Sequence, residues 1–251
     1  RDKGCKMSQG YWKECVGQGI QYRFDASTMP HILVRESNGT FTFKQATWKD
    51  RTVGDDNTNK KPTFVGSKIN DVFFYHNRLS FLSDENVAMS EAGDYYNFWR
   101  TTVTTTVDSD PIDTAVSHNK VSLLRHAVSF QDKLMFFSDQ TQFFLSSGDI
   151  LTGATAAIKP LTEFESLPSV RPRETGNNVY FATDKGKYNG IMEYYLDAQS
   201  GINDAIDITK HISTYIPSTI TKITASTNES MLAIITKGAV DTVYIYKYYW
   251  R

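Results

Sequence analysis

The sequence predicts an all-β protein built of propeller-type blades of short antiparallel strands, preceded by a turn-rich β part. Three observations carry this. Aromatics make up 13% of the 251 residues, with 14 Tyr and 15 Phe, and these residues together with the abundant Thr favour strands. Long helical periodicity is nearly absent, and short alternating runs bounded by Asn, Asp, Gly and Ser recur in its place. A strand–turn–strand phase then repeats four times at a spacing typical of blades.

Taken in order, residues 1–62 form the turn-rich β region and 63–251 the repeats. Ile20 to Phe24 reads as a first strand. His31 to Glu36 and Thr40 to Lys44 flank Ser37-Asn38-Gly39. Asn-Gly between alternating runs predicts a hairpin with a type I′ turn, because both residues tolerate positive φ. Residues 50–61 hold no apolar residue after Val53 and read as an exposed, flexible loop.

The repeats align on a strand that follows a tight polar turn. These turns are His76-Asn77, Gln131-Asp132, Gly176-Asn177-Asn178 and Asn228-Glu229-Ser230. The anchor residues Leu79, Leu134, Val179 and Leu232 lie 55, 45 and 53 residues apart. Each anchor strand leads to another: Val87 to Ser90, Gln142 to Ser146, Ile191 to Leu196 and Thr242 to Tyr248. Such a period suits small antiparallel sheets that bury their faces against neighbouring sheets. Helical signal is confined to a turn within Glu85 to Tyr95 and a short helix within Asp204 to His211.

Charge and composition bound the function. With 27 Lys+Arg against 28 Asp+Glu the net charge is −1, which argues against a dedicated basic nucleic-acid binder. No apolar run reaches the length of a membrane span. The chain opens Arg1-Asp2-Lys3-Gly4 and closes Tyr248-Tyr249-Trp250-Arg251, which reads as a fragment of a longer chain.

Several blocks, in order, resemble one family. They are Met29-Pro30-His31, Leu33-Val34-Arg35, Asn77-Arg78-Leu79-Ser80-Phe81-Leu82-Ser83, Gly93-Asp94-Tyr95-Tyr96-Asn97-Phe98-Trp99, Asp108-Ser109-Asp110-Pro111-Ile112-Asp113, Phe136-Phe137-Ser138-Asp139-Gln140-Thr141-Gln142-Phe143 and Gly176-Asn177-Asn178-Val179-Tyr180-Phe181. Together they look like the tail nozzle (tail tubular protein B) family of short-tailed bacteriophages, the podoviruses. The resemblance implies a longer parent protein that forms a homo-oligomeric ring, of six copies, in the virion tail. It implies assembly in the host cytoplasm and contacts with other tail tube and fibre proteins. It also implies a conduit through which double-stranded DNA passes, and the scattered, balanced charges of the chain predict that this passage is without tight binding. Ser109 interrupts an acidic run that is usually continuous in that family.

Candidate chemistry is sparse. Asp108, Asp110 and Asp113 place three carboxylates within six residues, and alternate carboxylates are cation ligands. A Pro-ordered turn, with the Asp side chains bonding nearby N–H groups, explains the same pattern. His31, His76, His118, His126 and His211 lack metal-ligand spacing, and Cys5 and Cys15 read as free thiols. No catalytic residue and no cofactor is expected. The alternatives are a polysaccharide hydrolase and a glycan- or receptor-binding module. A hydrolase would draw two carboxylates from Asp84, Glu85, Asp94, Glu163, Glu165 and Asp184, with Trp48, Trp99 and Tyr95 as sugar platforms.

Overall fold

The computed structural model describes residues 11–248. Among them lie seventeen strands and one 3₁₀ turn, Lys210–Ile212. A hairpin of β1 (His31–Arg35) and β2 (Phe41–Gln45) precedes four meandering antiparallel sheets, arranged as the four blades of a β-propeller. Blade 1 is β3 (Ile69–Tyr75), β4 (Arg78–Ser83), β5 (Asn86–Met89) and β6 (Ile112–Ala115). Blade 2 is β7 (His126–Phe130), β8 (Lys133–Phe137), β9 (Gln142–Ser146) and β10 (Ala157–Thr162). Blade 3 is β11 (Arg173–Thr175), β12 (Asn178–Lys185), β13 (Tyr188–Leu196) and β14 (Asn203–Asp207). Blade 4 has three strands, β15 (Ile220–Ser226), β16 (Met231–Thr236) and β17 (Val243–Lys247).

The blades follow one another in chain order. Their first strands touch in the sequence β3, β7, β11, β15, and the outer strands β6, β10 and β14 touch likewise. Alternation along each strand sends successive side chains to opposite faces, so each blade can bury both. Phe73, Leu82, Val87, Met89 and Ile112 of blade 1 meet Leu134, Phe136, Phe143 and Leu145 of blade 2. Val128, Phe130, Met135 and Phe137 of blade 2 meet Val179, Phe181 and Tyr194 of blade 3. Tyr180, Ala182 and Ile191 of blade 3 meet Ile223, Leu232 and Ile234 of blade 4. The other face of blade 1, with Leu79, Phe81 and Ala88, is covered by Met29, Phe64, Phe98, Phe24 and Trp48.

Some sequence expectations are corrected. Ile20 to Phe24 pairs with no strand; Phe24 stacks on Trp99 instead, with ring centroids 4.7 Å apart. The β1–β2 hairpin forms, but its turn is not type I′. Only Gly39 has positive φ, at 86°, while Gly39 N–H donates to Glu36 O and Glu36 N–H to Thr40 O. This is the three-residue loop that ends in a left-handed glycine. By contrast His76 and Asn77, at φ 45° and 57°, do form the primed turn between β3 and β4.

Residues 50–61 hold no strand and half of them are exposed, while Arg51 and Asn59 are each 2% exposed. Asn59 donates to Val53 O and Arg100 O, and Arg51 lies over the Trp99 ring at 4.2 Å. Asp55 Oδ1 accepts from the Asn57 and Thr58 N–H groups, a side-chain-capped turn that fixes the rest. Asp204 to Asp207 is strand rather than helix, because β13 offers it a free edge. Glu85 to Tyr95 holds β5 and a turn.

Candidate functional site: the blade seam and the acidic loop

The sites that the sequence points to are mostly structural joints. The acidic loop is built around Arg78. This residue starts β4 and is 2% exposed. Its Nη1 donates to Ser90 O at 2.8 Å, Ser109 O at 3.2 Å and Asp110 O at 2.7 Å; its Nη2 donates to Asp108 O at 2.8 Å. Burial pulls the Arg78 pKa down, while Glu91 and Asp110 act in the other direction. The rigid guanidinium fork can serve several carbonyls of one loop at once, which an ammonium cannot match.

The three aspartates do not converge. Asp110 Oδ2 accepts from Arg100 Nε at 3.1 Å and from Val107 N–H at 3.1 Å. Asp113 receives the Thr63 N–H and hydroxyl, both at 2.7 Å. Asp108 contributes its carbonyl to Arg78. The carbonyls that would complete a cation shell thus face an arginine. Among the described residues no group of three His, Cys, Asp or Glu side chains could hold a metal ion.

The histidines are dispersed. His31 Nδ1 lies 3.0 Å from Met29 O, His76 sits in the β3–β4 turn, and His211 lies in the 3₁₀ turn. His118 lies 3.9 Å from Glu163, and His126 Nε2 lies 3.0 Å from Pro168 O. Burial is the main cause that lowers the His126 pKa. Cys15 is free and exposed, and Cys5 lies outside the described residues.

The hydrolase candidates serve local structure. Glu85 accepts from Ser122 N–H, and Asp184 from Gly186 N–H and Asn189. Asp94 pairs with Lys49, and Glu163 with Lys120 at 3.4 Å. Asp84 adopts φ 51° in the β4–β5 turn, and Glu165 lies in the segment between β10 and β11. Trp48 packs among Phe81, Tyr96 and Phe98, Trp99 packs on Phe24, and Tyr95 donates to Asn77 Oδ1.

One joint escaped sequence reasoning. Asp71 on β3 accepts from Arg171 Nη1 at 2.8 Å through Oδ1, and from Ala127 N–H at 2.9 Å through Oδ2. Arg171 Nη2 also donates to Ala127 O at 3.1 Å. One carboxylate therefore ties blade 1 to blade 2 and to the segment entering blade 3. Arg173 Nε continues the seam to Ile223 O of blade 4 at 3.1 Å. Its signal in the sequence is a charged residue, Asp71, in the apolar phase set by Phe73. Its partner is 100 residues away, beyond the reach of a local pattern.

In a double-mutant cycle of Asp71→Ala and Arg171→Ala, denaturant unfolding is expected to give a coupling of about 1 kcal/mol, since Arg171 is partly solvated. Additive single effects would show that the pair does not join the blades.

The fold and these joints define a structural β-propeller module, with its polar groups spent on holding loops and blades together. The comparisons with known proteins agree with that class. The model of the family described as "Bacteriophage nozzle protein" matches residues 4–251. The tail tubular protein gp12 of Escherichia phage T7 is 38% identical over 238 residues, which is 94% of this chain and 30% of that protein. The chain belongs to the bacteriophage nozzle protein family. It spans just under a third of the length of that curated relative.

Two solved structures show remote similarity. PorZ, a surface component of the type-IX secretion system of Porphyromonas gingivalis, matches at TM-score 0.39 and 12% identity, over 72% of this chain and 20% of that one. A quinonprotein alcohol dehydrogenase-like protein of Bacteroides thetaiotaomicron matches at TM-score 0.34 and 11% identity, over 78% and 53%. At these scores neither bears on function.

Proposed function

We propose that this chain is a wall-forming module of a phage tail nozzle, a structural component of the conduit for genome ejection. The observation that carries the reading is the 38% identity to a phage tail tubular protein along 94% of the chain. In this reading the parent protein is longer and forms a six-copy ring in the virion tail. It contacts other tail tube and fibre proteins, and assembly takes place in the host cytoplasm. The module works mechanically and performs no catalysis. Blade packing and the polar seam through Asp71 and Arg171 make it stiff.

The domain reading goes with this. We propose that residues 63–251 contribute four blades and that parts outside this chain close the propeller. Val243 and Ile245 of blade 4 are 54% and 53% exposed, and they lie on the face turned away from blade 3. The corresponding face of blade 1 is largely covered by the preceding segment, with only Val72 and Phe74 left exposed on its first strand. The uncovered apolar face of blade 4 supports a join to further structure.

A conduit must let a polyanion slide. Each Lys or Arg that neutralises a phosphate releases counterions and adds salt-dependent affinity. The basic residues here are scattered and matched by acids, and many are in internal pairs such as Arg100–Asp110, Arg125–Asp139 and Arg171–Asp71. Fluorescence anisotropy with a short duplex is expected to show binding no tighter than about 10⁻⁴ to 10⁻⁶ M at physiological salt. Nanomolar binding with a steep salt slope would contradict a passive wall.

A further inference from the structure

The chain holds two Asn-Gly pairs, Asn38-Gly39 and Asn189-Gly190. This dipeptide carries a chemistry of its own. The backbone nitrogen of the residue after an asparagine can attack the asparagine Cγ and close a cyclic imide. Glycine shields that nitrogen least, because it has no Cβ. The fold treats the two pairs in opposite ways.

Asn38 and Gly39 lie in the loop between β1 and β2, and both are exposed. A Cβ on Gly39 would meet nothing within 4 Å. Asn38 Oδ1 accepts from Thr40 N–H at 2.9 Å and from the Thr40 hydroxyl at 2.7 Å. Negative charge gathers on this oxygen when Cγ is attacked, so two donors already point at the atom that needs them. Among the described residues nothing bonds Asn38 Nδ2, which leaves the departing group open to water. The Gly39 N–H donates to Glu36 O at 3.0 Å, and this bond must open before the nitrogen can react. The opening is local, since residues 37–40 and the whole of β2 are exposed.

Asn189 is 4% exposed. Its Oδ1 accepts from Ile220 N–H at 2.7 Å, and its Nδ2 donates to Asp184 Oδ1 at 3.2 Å and Tyr188 O at 3.1 Å. Gly190 is buried in β13 opposite Thr183 of β12. Imide closure there requires the carboxamide to leave these partners and the β12–β13 ladder to break, at a joint between blades 3 and 4.

We propose that Asn38 is a site of spontaneous deamidation and that the fold shields Asn189 from the same reaction. Hydroxide takes the Gly39 amide proton, and the nitrogen forms a bond to Asn38 Cγ. The Cγ–Nδ2 bond breaks, and Nδ2 leaves as ammonia with a proton from water. Water then opens the imide at either carbonyl and gives aspartate or isoaspartate. No electron is transferred, and water is the co-reactant. The product places a new negative charge beside Glu36 at the hairpin tip, and the isoaspartate form lengthens the backbone there by one carbon. This chemistry is independent of any role as a conduit wall.

The test is peptide mapping by mass spectrometry after the folded chain has been held in mildly alkaline buffer. Trypsin releases 36–44 with Asn38 and 188–210 with Asn189. Asn38 is expected to convert at least about tenfold faster than Asn189, with both aspartate and isoaspartate formed. In denaturant, where the fold no longer distinguishes them, the two are expected to convert at similar rates. Thr40→Val, which removes the hydroxyl donor and keeps the shape, is expected to slow Asn38 a few-fold in the folded chain and not in denaturant. Equal rates at the two sites in the folded chain, or an intact Asn38 while the denatured chain converts, would overturn the proposal. An unchanged folded-state rate in Thr40→Val would overturn the part given to Thr40. Should Thr40→Val lose the hairpin, the comparison of the two sites in the unaltered chain decides the matter.

Discussion

Arg78→Ala is expected to lower the unfolding free energy by about 3–5 kcal/mol, the scale seen when one partner of a buried charged network is removed. The alanine leaves the carbonyls of Ser90, Asp108, Ser109 and Asp110 without the donors that now hold them. Each carbonyl that stays buried and unpaired costs about 1–3 kcal/mol, and those that reach water cost less. Arg78→Lys is expected to recover only part of the loss, because one ammonium cannot reproduce the fork. Chemical denaturation monitored by tryptophan fluorescence checks both. A loss below about 1 kcal/mol for Arg78→Ala would mean that the acidic loop is held by other contacts, such as Asp110 with Arg100.

Phe136→Ala is expected to cost a similar amount, about 3–5 kcal/mol, by a different mechanism. Phe136 of β8 is fully buried against Phe73, Leu82, Val87, Met89 and Ile112 of blade 1. The Phe73 and Phe136 rings meet at 6.1 Å and 61°, a favourable edge-on arrangement. Truncation leaves a cavity at a seam between two sheets, where neither sheet can collapse without breaking its own ladder. Phe136→Leu keeps most of the volume and is expected to cost less than half as much. Equal losses for the two variants would show that the seam requires the aromatic ring itself.

The blade pattern was legible because it is written locally. The anchors Leu79, Leu134, Val179 and Leu232 are all buried, and β4 and β9 begin at Arg78 and Gln142 as the sequence predicts. A tight turn followed by an apolar run needs only neighbouring residues to declare itself.

The strands that escaped notice are the outer ones and the shortest. β14 is Asn-Asp-Ala-Ile-Asp, β10 contains Pro160, and β6 has four residues. An edge strand needs little apolar character because one side of it is in water, and its register comes from the partner's free groups. β11 has only three residues, so no periodicity can mark it. The Ile20 to Phe24 run has strand-like residues, but nearby aromatic rings compete for Phe24 and no strand pairs with the run.

The acidic loop illustrates the same division. Its carboxylates were plain in the sequence, but their destinations were not. Arg100, Thr63 and Arg78 come from three different places in the chain, and only the fold brings them to Asp110, Asp113 and the loop carbonyls. The seam of Asp71 with Arg171 depends on blade order in the same way.

The central claim is that this chain forms part of the wall of a tail nozzle. Electron cryomicroscopy of the full-length parent protein, assembled in its virion tail, tests it most directly. Six copies of this four-bladed module are expected around an axial channel, with the exposed face of Val243 and Ile245 covered by further protein of the parent chain. A map that places the module away from the channel, as a peripheral fibre or a free-standing appendage, would contradict it.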